Sequence, residues 1–339
     1  MSGRAWIPSD EKILQEWLGK LPEGNVSREH MREICEKLNR SDHAIYSKIR
    51  RMTLYTPQKV ISEPLIAQAG TGVLEAEVAR LKHQVEELTS YRKIPTRAFE
   101  GEWIKMGVVS DTHMGSLYER LDLLNGAYDV FEQQNISDVY HSGDVLDGEN
   151  MYRGHVYEIK IHGADAQIDH CIKNYPRREN ITTYFITGNH DLSFWRNAGI
   201  DIGRRIADER SDMIYYGREE ADIPIACNNQ QAILRLSHPG KGTAYALSYH
   251  PQKYIDALAG GQKPHIILMG HYHKAEQLPC YRNIYLVQSG CLQSQTSYMR
   301  RQSIAAHMGF WIIEFMIKPQ VLISRFKSEF IAFYEGQTT

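Results

Sequence analysis

Five strand-like runs between residues 100 and 335 each end in a short cluster of His, Asp or Asn flanked by Gly or Ser. The runs are apolar and rich in β-branched residues, and helix-like stretches separate the early ones, which predicts a layered α/β domain. In open α/β sheets, ligand sites form at the carboxyl ends of the strands, so the five clusters can converge. They read "SDTH", "GDVLDG", "GNHD", "SHPG" and "GHYH".

The residue types in these clusters indicate a metal centre. Carboxylate, imidazole and amide oxygen are ligands that suit Mn²⁺, Fe or Zn²⁺, and no cysteine falls in any of the clusters. Two metal ions about 3.5–4 Å apart need a shared ligand, and a carboxylate such as Asp144 can bridge them. Such a pair activates a water and clamps the attacking and leaving oxygens of a phosphoryl group. The sequence therefore predicts phosphoester hydrolysis.

Taken in this order, the five clusters resemble the sequence blocks of the calcineurin-like metallophosphoesterases over residues 105–290. The resemblance implies a β-sandwich flanked by helices and two divalent ions, with Mn²⁺ first and Fe or Zn²⁺ as alternatives. It implies that one ion is held by Asp111, His113, Asp144 and His273. It implies that the second is held by Asp144, Asn189, His238 and His271. By the same resemblance, His190 contacts the scissile phosphate or protonates the leaving oxygen, and Asp147 orients it.

Some of these assignments have rivals within the sequence. His238 follows the better strand exit, but His250 in "LSYHP" also follows an apolar stretch. Asp191 can either cap its own loop or act in catalysis. Three histidines in the long insertion after Asp147 either line a substrate groove or are ordinary residues, namely His155, His162 and His170.

Departures from the family pattern favour a nucleic-acid substrate. Protein Ser/Thr phosphatases carry "GDxxDRG" and "GNHE", whereas here Gly148 stands in place of the phosphate-gripping Arg and Asp191 in place of the Glu. "SDTHMGS" and "GNHD" are closer to the nuclease branch of double-strand-break repair. We therefore expect a phosphodiesterase that acts on DNA, as a nuclease or end-processing enzyme. The alternatives are hydrolysis of a small molecule or phosphoprotein, and a DNA-binding regulatory protein with secondary hydrolase activity.

Residues 1–54 predict three short amphipathic helices, of which the third, "RSDHAIYSKIRRM", is basic. This arrangement fits a helix-turn-helix module and resembles the Myb/SANT-like group. The interpretation predicts DNA contacts through Lys48, Arg50 and Arg51. The alternative is a helical domain that docks a protein, because a basic helix face is usually a solvated face.

Residues 55–96 predict a linker followed by a short coiled-coil helix. Two prolines and two glycines interrupt residues 55–72, and apolar residues then recur at alternating spacings of four and three. The seam in residues 73–90 predicts a homodimer, with an amphipathic helix lying on its own chain as the alternative. Residues 97–339 are the predicted catalytic domain.

The overall composition limits the class of protein. The 39 Lys and Arg nearly balance the 41 Asp and Glu, so any surface that binds a polyanion must be local. The five cysteines are scattered without paired spacing, which is typical of a reducing compartment. No run approaches the roughly 18 apolar residues of a membrane span. We expect a cytoplasmic protein with DNA as its partner and no membrane association.

Overall fold

The computed structural model describes Trp6 and residues 8–18, 28–42, 44–45, 48–49, 94–240, 242, 246–319 and 322–334. The chain divides into two compact units, Met1–Gln84 and Val85–Thr339. The predicted coiled-coil segment 73–90, Arg50 and Arg51 lie outside the described residues. Among the helices that are described, none combines the length and the apolar character that a bilayer crossing requires.

The N-terminal unit contains helices α1 (Pro8–Leu18) and α2 (Arg28–Leu38), followed by helical residues between Asp42 and Ile49. Their apolar residues recur every three or four positions, so each helix has one face that can be buried. These faces form a small core made of Leu14, Trp17, Met31, Ile34, Leu38 and Ile45. The apolar faces predicted from sequence for this region therefore do pack together.

The C-terminal unit contains two six-stranded sheets. Sheet A has the strand order β1-β6-β7-β8-β10-β9. Its strands are β1 (Arg97–Phe99), β6 (Glu220–Cys227), β7 (Gln230–Ser237), β8 (Ile266–Met269), β9 (Ala275–Tyr281) and β10 (Ile284–Ser289). Strands β7, β8 and β10 run parallel to one another.

Sheet B has the strand order β12-β11-β2-β3-β4-β5. Its strands are β2 (Ile104–Val109), β3 (Asp138–His141), β4 (Thr182–Thr187), β5 (Met213–Arg218), β11 (Gly309–Lys318) and β12 (Leu322–Ala332). Strands β2 to β5 are parallel, and β11 joins β2 antiparallel.

Helices cover the outer faces of both sheets. They are α3 (Leu121–Gln133), α4 (Ala164–Asn174), α5 (Leu192–Ala198), α6 (Ile202–Glu209), α7 (Tyr249–Ala257) and α8 (Ser297–Arg301). One core, with Met106, Tyr184 and Leu234 among its members, draws residues from both sheets and so lies between them. A second core joins sheet B to α3, α4 and α6, and a third joins α7 to sheet A. The predicted β-sandwich flanked by helices is confirmed.

Candidate metal centre and active site

The five predicted clusters follow the carboxyl ends of β2, β3, β4, β7 and β8, and the structure brings them together at one edge of the sandwich. The segments after β2 and β3 continue side by side, because the amides of Asp111 and His113 donate to the carbonyls of Gly143 (3.0 Å) and Asp144 (3.1 Å). The amide of His271, after β8 in the other sheet, donates to the Asp111 carboxylate at 3.1 Å. Both sheets thus supply side chains to one site.

The first candidate ion site is formed by Asp111, His113 and His273, with ligand atoms that all lie within 4.8 Å of one another. His273 Nε2 is 3.2 Å from Asp111 Oδ1 and 3.1 Å from His113 Nε2. Asp144 Oδ2 lies 3.9 Å from His113 Nε2. These four residues are the set that the resemblance assigned to one metal.

The second candidate ion site is formed by Asp144, His238 and His271. His238 Nε2 lies 3.0 Å from Asp144 Oδ2, and His271 Nδ1 lies 2.7 Å from Asn189 Oδ1. His250 instead stacks on the ring of Tyr272, with 4.4 Å between ring centroids. The geometry therefore favours His238 over His250. Asp144 belongs to this second group, and it also forms a group with His113 and His190, its Oδ2 lying 3.9 Å from His113 Nε2.

His238 shows most directly that the residues fit a cation. Its ring is fully buried, and its Nδ1 donates to the carbonyl of Ser142 at 2.7 Å. That bond fixes the ring orientation and leaves Nε2 facing the Asp144 carboxylate, 3.0 Å from Oδ2. The nitrogen and oxygen donors of the two sites suit Mn²⁺, Fe or Zn²⁺.

The ionisation of these residues is strongly coupled. Burial opposes the charged form of Asp111, but His273 and its hydrogen bond hold the pKa of that carboxyl well below its usual range. Burial likewise lowers the pKa of His238, yet the carboxylate of Asp144 outweighs it and raises the pKa to about 9. A proton on Nε2 thus pairs with the Asp144 carboxylate, and a cation held by these two residues would take the place of that proton.

The backbone at this site is held in an unusual conformation. A positive φ is uncommon in residues other than glycine and costs about 1–3 kcal/mol each where it persists. Five of the seven proposed ligands adopt it, namely Asp111 (φ 51°), His113 (43°), Asp144 (53°), His271 (81°) and His273 (53°). Such strain is typical of functional sites, where the surrounding fold imposes the geometry.

The glycines that precede two of the ligands permit close packing of the loops. A Cβ atom at Gly143 would lie 2.5 Å from His238 Nδ1, and one at Gly188 would lie 2.3 Å from Asp144 Oδ1. Real Cβ atoms do not approach neighbours this closely, so a side chain at either position would push the ligands apart. The "GD" and "GN" motifs thus combine a ligand with the room it needs.

His190 lies beside both sites without being one of the predicted ligands. Its amide donates to Asp144 Oδ1 at 2.8 Å, and its ring packs edge-on against His113, with centroids 4.5 Å apart. Its Nδ1 lies 2.6 Å from the main-chain carbonyl of Asp147, which can only accept, so Nδ1 carries a proton. Burial lowers the pKa of His190 to about 4.

Asp147 has a different geometry from the one the resemblance implies. It holds His190 through its main-chain carbonyl, while its carboxylate Oδ1 is 3.9 Å from the ring nitrogen. The carboxylate instead lies between two other histidines, 3.3 Å from His113 Nδ1 and 3.3 Å from His155 Nε2. His155 is 1% exposed. Its sequence context does not distinguish it from His162 and His170 in the same insertion.

The sequence left the roles of Asp191, His170 and His162 undecided, and the first two have structural partners. The Asp191 carboxylate accepts from the amides of Gly188, Val145 and Leu146 at 2.8 to 3.1 Å, so it ties two of the loops together. His170 bonds to the Glu119 carboxylate at 3.0 Å, and the side chain of His162 is 53% exposed.

A cleft of about 990 Å³ opens over the metal centre. Its floor includes His113, Asp144, Asn189, His190, His271 and His273. The side chain of Arg196 reaches it from α5 and donates to the Asn189 carbonyl at 2.7 Å. A cation therefore stands next to a proposed ligand, where an anionic substrate would lie.

Lys48, one of the three predicted DNA contacts, forms an ion pair with Glu11 and lies 5.4 Å from the centre of the Trp6 ring. A DNA phosphate would have to compete with Glu11 for it. The predicted nucleic-acid role of the N-terminal unit stays a prediction.

A β-sandwich that gathers two adjoining His/Asp ion sites and a further histidine at its strand ends defines a metal-dependent phosphoesterase. Residues 104–307, more than half of the chain, match the calcineurin-like phosphoesterase superfamily domain. The chain belongs to the calcineurin-like phosphoesterase superfamily.

Individual relatives are distant. The DNA polymerase II small subunit of Methanothermobacter thermautotrophicus is 24% identical over 246 residues, which cover 59% of this chain and 50% of that subunit. The chain thus spans half the length of this curated relative. A predicted phosphoesterase from Streptococcus pneumoniae TIGR4 is 14% identical in structural alignment and covers 70% of this chain and 95% of its own, with a TM-score of 0.36. GAP50, the anchor in the inner membrane complex of Plasmodium, is 10% identical and covers 70% and 87%, with a TM-score of 0.41.

Proposed function

We propose that the protein is a dinuclear-metal phosphodiesterase that hydrolyses phosphodiester bonds in DNA, as a nuclease or end-processing enzyme. The observation that carries the proposal is the pair of adjoining candidate ion sites, with Asp144 in one of them and 3.9 Å from His113 of the other, and with His190 directly beside them. One shared carboxylate allows two cations to sit close enough to act on the same phosphoryl group.

The residues of the chain divide the work of hydrolysis. When bound, the two cations activate a water and neutralise charge on the phosphoryl oxygens. In the reaction a water oxygen forms a bond to phosphorus, the ester bond to the leaving oxygen breaks, and that oxygen takes up a proton. His190 can supply this proton only from Nε2, because Nδ1–H is committed to the Asp147 carbonyl. Arg196 adds positive charge beside the substrate phosphate.

The protonation of His190 responds to the substrate. Burial keeps the ring neutral in the free protein by lowering its pKa to about 4. A phosphodiester anion near Nε2 favours the imidazolium, since an opposite charge within about 4–6 Å stabilises the charged form. Contact with the substrate phosphate would therefore favour the protonated form of His190 that the acid role needs.

Several features support DNA over other phosphoesters. Gly148 occupies the position at which protein phosphatases carry an Arg that grips the phosphate, and the "SDTHMGS" and "GNHD" motifs are nearer to the repair nucleases. One distant relative is a subunit of a DNA polymerase. Hydrolysis of a small-molecule phosphoester is the second candidate, because the fold alone does not select a substrate.

His190→Ala separates catalysis from metal binding. We expect the variant to keep its metals but to lose about 10²–10⁴-fold in turnover of a DNA oligonucleotide, because a general acid contributes about that much. The loss on bis(4-nitrophenyl) phosphate should be smaller, since nitrophenolate leaves without help. His162→Ala, at an exposed position, is the matched control.

The same assay includes a DNA diester and a phosphomonoester, both with Mn²⁺-loaded protein. Near wild-type cleavage of DNA by His190→Ala would remove the acid role. Efficient hydrolysis of the monoester without cleavage of DNA would replace the proposal with the small-molecule phosphatase.

A further inference from the structure

Two rows of aromatic rings lead away from the metal centre. The first starts at His271, whose ring packs edge-on against Tyr272 with centroids 5.0 Å apart. Tyr272 stacks face to face on His250, with 4.4 Å between centroids and 8° between planes. Tyr249 follows at 5.1 Å from His250 and is 49% exposed. This row connects the second ion site to solvent.

The second row starts at His190. The ring of His155 packs against it at 5.5 Å, and Tyr152 follows at 4.6 Å from His155. Tyr152 stacks on Tyr298, with 4.2 Å between centroids and 21° between planes. The hydroxyl of Tyr152 donates to the Glu158 carboxylate at 2.7 Å, which fixes the orientation of the ring.

Both stacks line the cleft that holds the metal centre, and Tyr272, His250, Tyr152 and Tyr298 all contribute to its wall. Neither stack contains a predicted metal ligand or the proposed proton donor, and the Tyr152 hydroxyl is committed to Glu158, so the proposed hydrolysis gives the two stacks no role. Flat π surfaces are suited to bind another flat ring. A substrate with planar groups near its scissile bond would use both surfaces.

Nucleobases are planar groups that lie one on each side of a phosphodiester bond in a nucleic acid. Stacking of a base on an aromatic side chain is sequence-tolerant, because every base has a π face. Bases inside a duplex are already stacked on their neighbours and are not available, whereas unpaired bases can be splayed onto aromatic side chains. The two rows therefore favour unpaired nucleotides.

We infer that the substrate is single-stranded nucleic acid, or the unpaired end of a duplex, with the flanking bases stacked on Tyr272/His250 and Tyr152/Tyr298. This inference rests on the proposed phosphodiesterase function and specifies the substrate of the same site. It also assigns Tyr272 and Tyr152 as residues that determine specificity.

The test compares three substrates with Mn²⁺-loaded full-length protein: a single-stranded DNA oligonucleotide, its duplex, and an abasic oligonucleotide with the same backbone. We expect kcat/KM on the single strand to exceed that on the duplex and on the abasic strand by roughly 5- to 150-fold for each stacked base. Equal rates on base-containing and abasic strands would overturn the inference.

Substitutions of the stacked tyrosines show which side chains cause the preference for the base-containing strand. Tyr272→Leu and Tyr152→Leu should each lower the ratio of kcat/KM for the base-containing strand to kcat/KM for the abasic strand by roughly 5- to 150-fold. Tyr272→Phe and Tyr152→Phe keep the ring and should keep the ratio. Using this ratio cancels any general loss of activity that a change near the metals causes. Tyr157→Leu is the control, because Tyr157 belongs to the same insertion as Tyr152, is 83% exposed and lies outside the cleft.

The outcomes distinguish the two proposals. Unchanged ratios in both Leu variants would overturn the stacking role while leaving the phosphodiesterase intact. A wild-type protein that cleaves neither the base-containing nor the abasic strand would overturn the proposed function itself, and the inference with it.

Discussion

Two buried polar clusters in the same β-sandwich differ in how their hydrogen-bonding groups are used. Arg210 is 4% exposed, and its guanidinium makes five hydrogen bonds of 2.6 to 3.1 Å. Two of these go to the Asp212 carboxylate, and the others go to carbonyls at and just beyond the end of α4. Helix carbonyls at that end lack partners within the helix, so Arg210 satisfies them.

The metal centre is also buried, but its histidine and carboxylate side chains point toward one another. His113 and His273 direct their Nε2 atoms at each other, 3.1 Å apart, and His238 Nε2 lies 3.0 Å from Asp144 Oδ2. Proposed ligands there adopt positive φ, whereas Arg210 and Asp212 do not. A fold stabilises itself by satisfying its buried polar groups, and it leaves such groups convergent and strained where a ligand is to complete them.

Replacement of Arg210 gives the largest expected effect on stability. Arg210→Ala leaves Asp212 and the α4 carbonyls without their donor, and removing one partner of a buried pair costs about 3–5 kcal/mol. We expect this loss in the free energy of unfolding by denaturant titration, with metal binding retained in the folded protein. Arg205→Ala, which removes an ion pair on the exposed face of α6, should cost about 1 kcal/mol or less. Equal losses in the free energy of unfolding for Arg210→Ala and Arg205→Ala would show that the buried hydrogen bonds of Arg210 add no stability beyond an exposed ion pair.

Replacement of His155 tests whether residues outside the proposed ligand set orient the metal ligands. The Asp147 carboxylate lies 3.3 Å from both His155 Nε2 and His113 Nδ1, so His155 positions a proposed metal ligand through Asp147. Changes in such supporting partners typically cost about 10–100-fold in metal affinity. We expect His155→Ala to weaken binding of one Mn²⁺ by that factor in calorimetric titration.

His170→Ala is the matched control for this variant, since His170 lies in the same insertion but bonds to Glu119. Equal Mn²⁺ affinities of His155→Ala and the wild type would mean that Asp147 holds His113 without help from His155.

Replacement of Glu119 gives the smallest expected effect. It tests, through the pH dependence of stability, a carboxylate whose hydrogen bonds come from within the protein. Burial raises the pKa of its carboxyl, but hydrogen bonds from His170, Lys160 and the Gly115 amide outweigh it and lower the pKa below 4.5. The folded state thus binds this proton more weakly than the unfolded state. Its contribution to stability is present above pH 4.5 and is lost as the pH falls through the lowered pKa.

The variant Glu119→Gln should show a shallower loss of stability between neutral and acid pH than the wild type, by about 1 kcal/mol or less. The measurement is the midpoint of thermal unfolding at several pH values. Parallel curves for the two proteins would show that Glu119 contributes no pH dependence.

The residues proposed as metal ligands could be selected from the sequence, whereas several of the strands around them could not. Side-chain chemistry at strand exits can be read from a sequence, and the structure brings together the seven residues that the resemblance selected. Strands β1, β5, β6 and β9 were not predicted. Pro224 interrupts β6 and Pro279 interrupts β9, and proline disfavours a central strand. Pro279 lies on the edge strand of sheet A, and Pro224 directly precedes the three residues of β6 that pair with β1.

Two features of the active site could not have been predicted. His155 reaches Asp147 from a short 3-10 helix (His155–Tyr157), eight residues further along, and no periodicity places one against the other. The contact between His190 and Asp147 runs through a main-chain carbonyl, and any residue type offers the same carbonyl. Patterns of side chains carry no information about such contacts.

The most direct test of the account is the number of Mn²⁺ ions bound per chain, measured by equilibrium dialysis and elemental analysis. A dinuclear centre bridged by Asp144 predicts two ions for the wild type, one for His238→Ala, and none for Asp144→Ala, because His238 belongs to one candidate site whereas Asp144 lies beside the ligands of both. Asp144→Ala removes a charge that the fold holds for the cations, so the variant should stay folded. A single tightly bound ion that persists in Asp144→Ala would contradict the shared dinuclear centre.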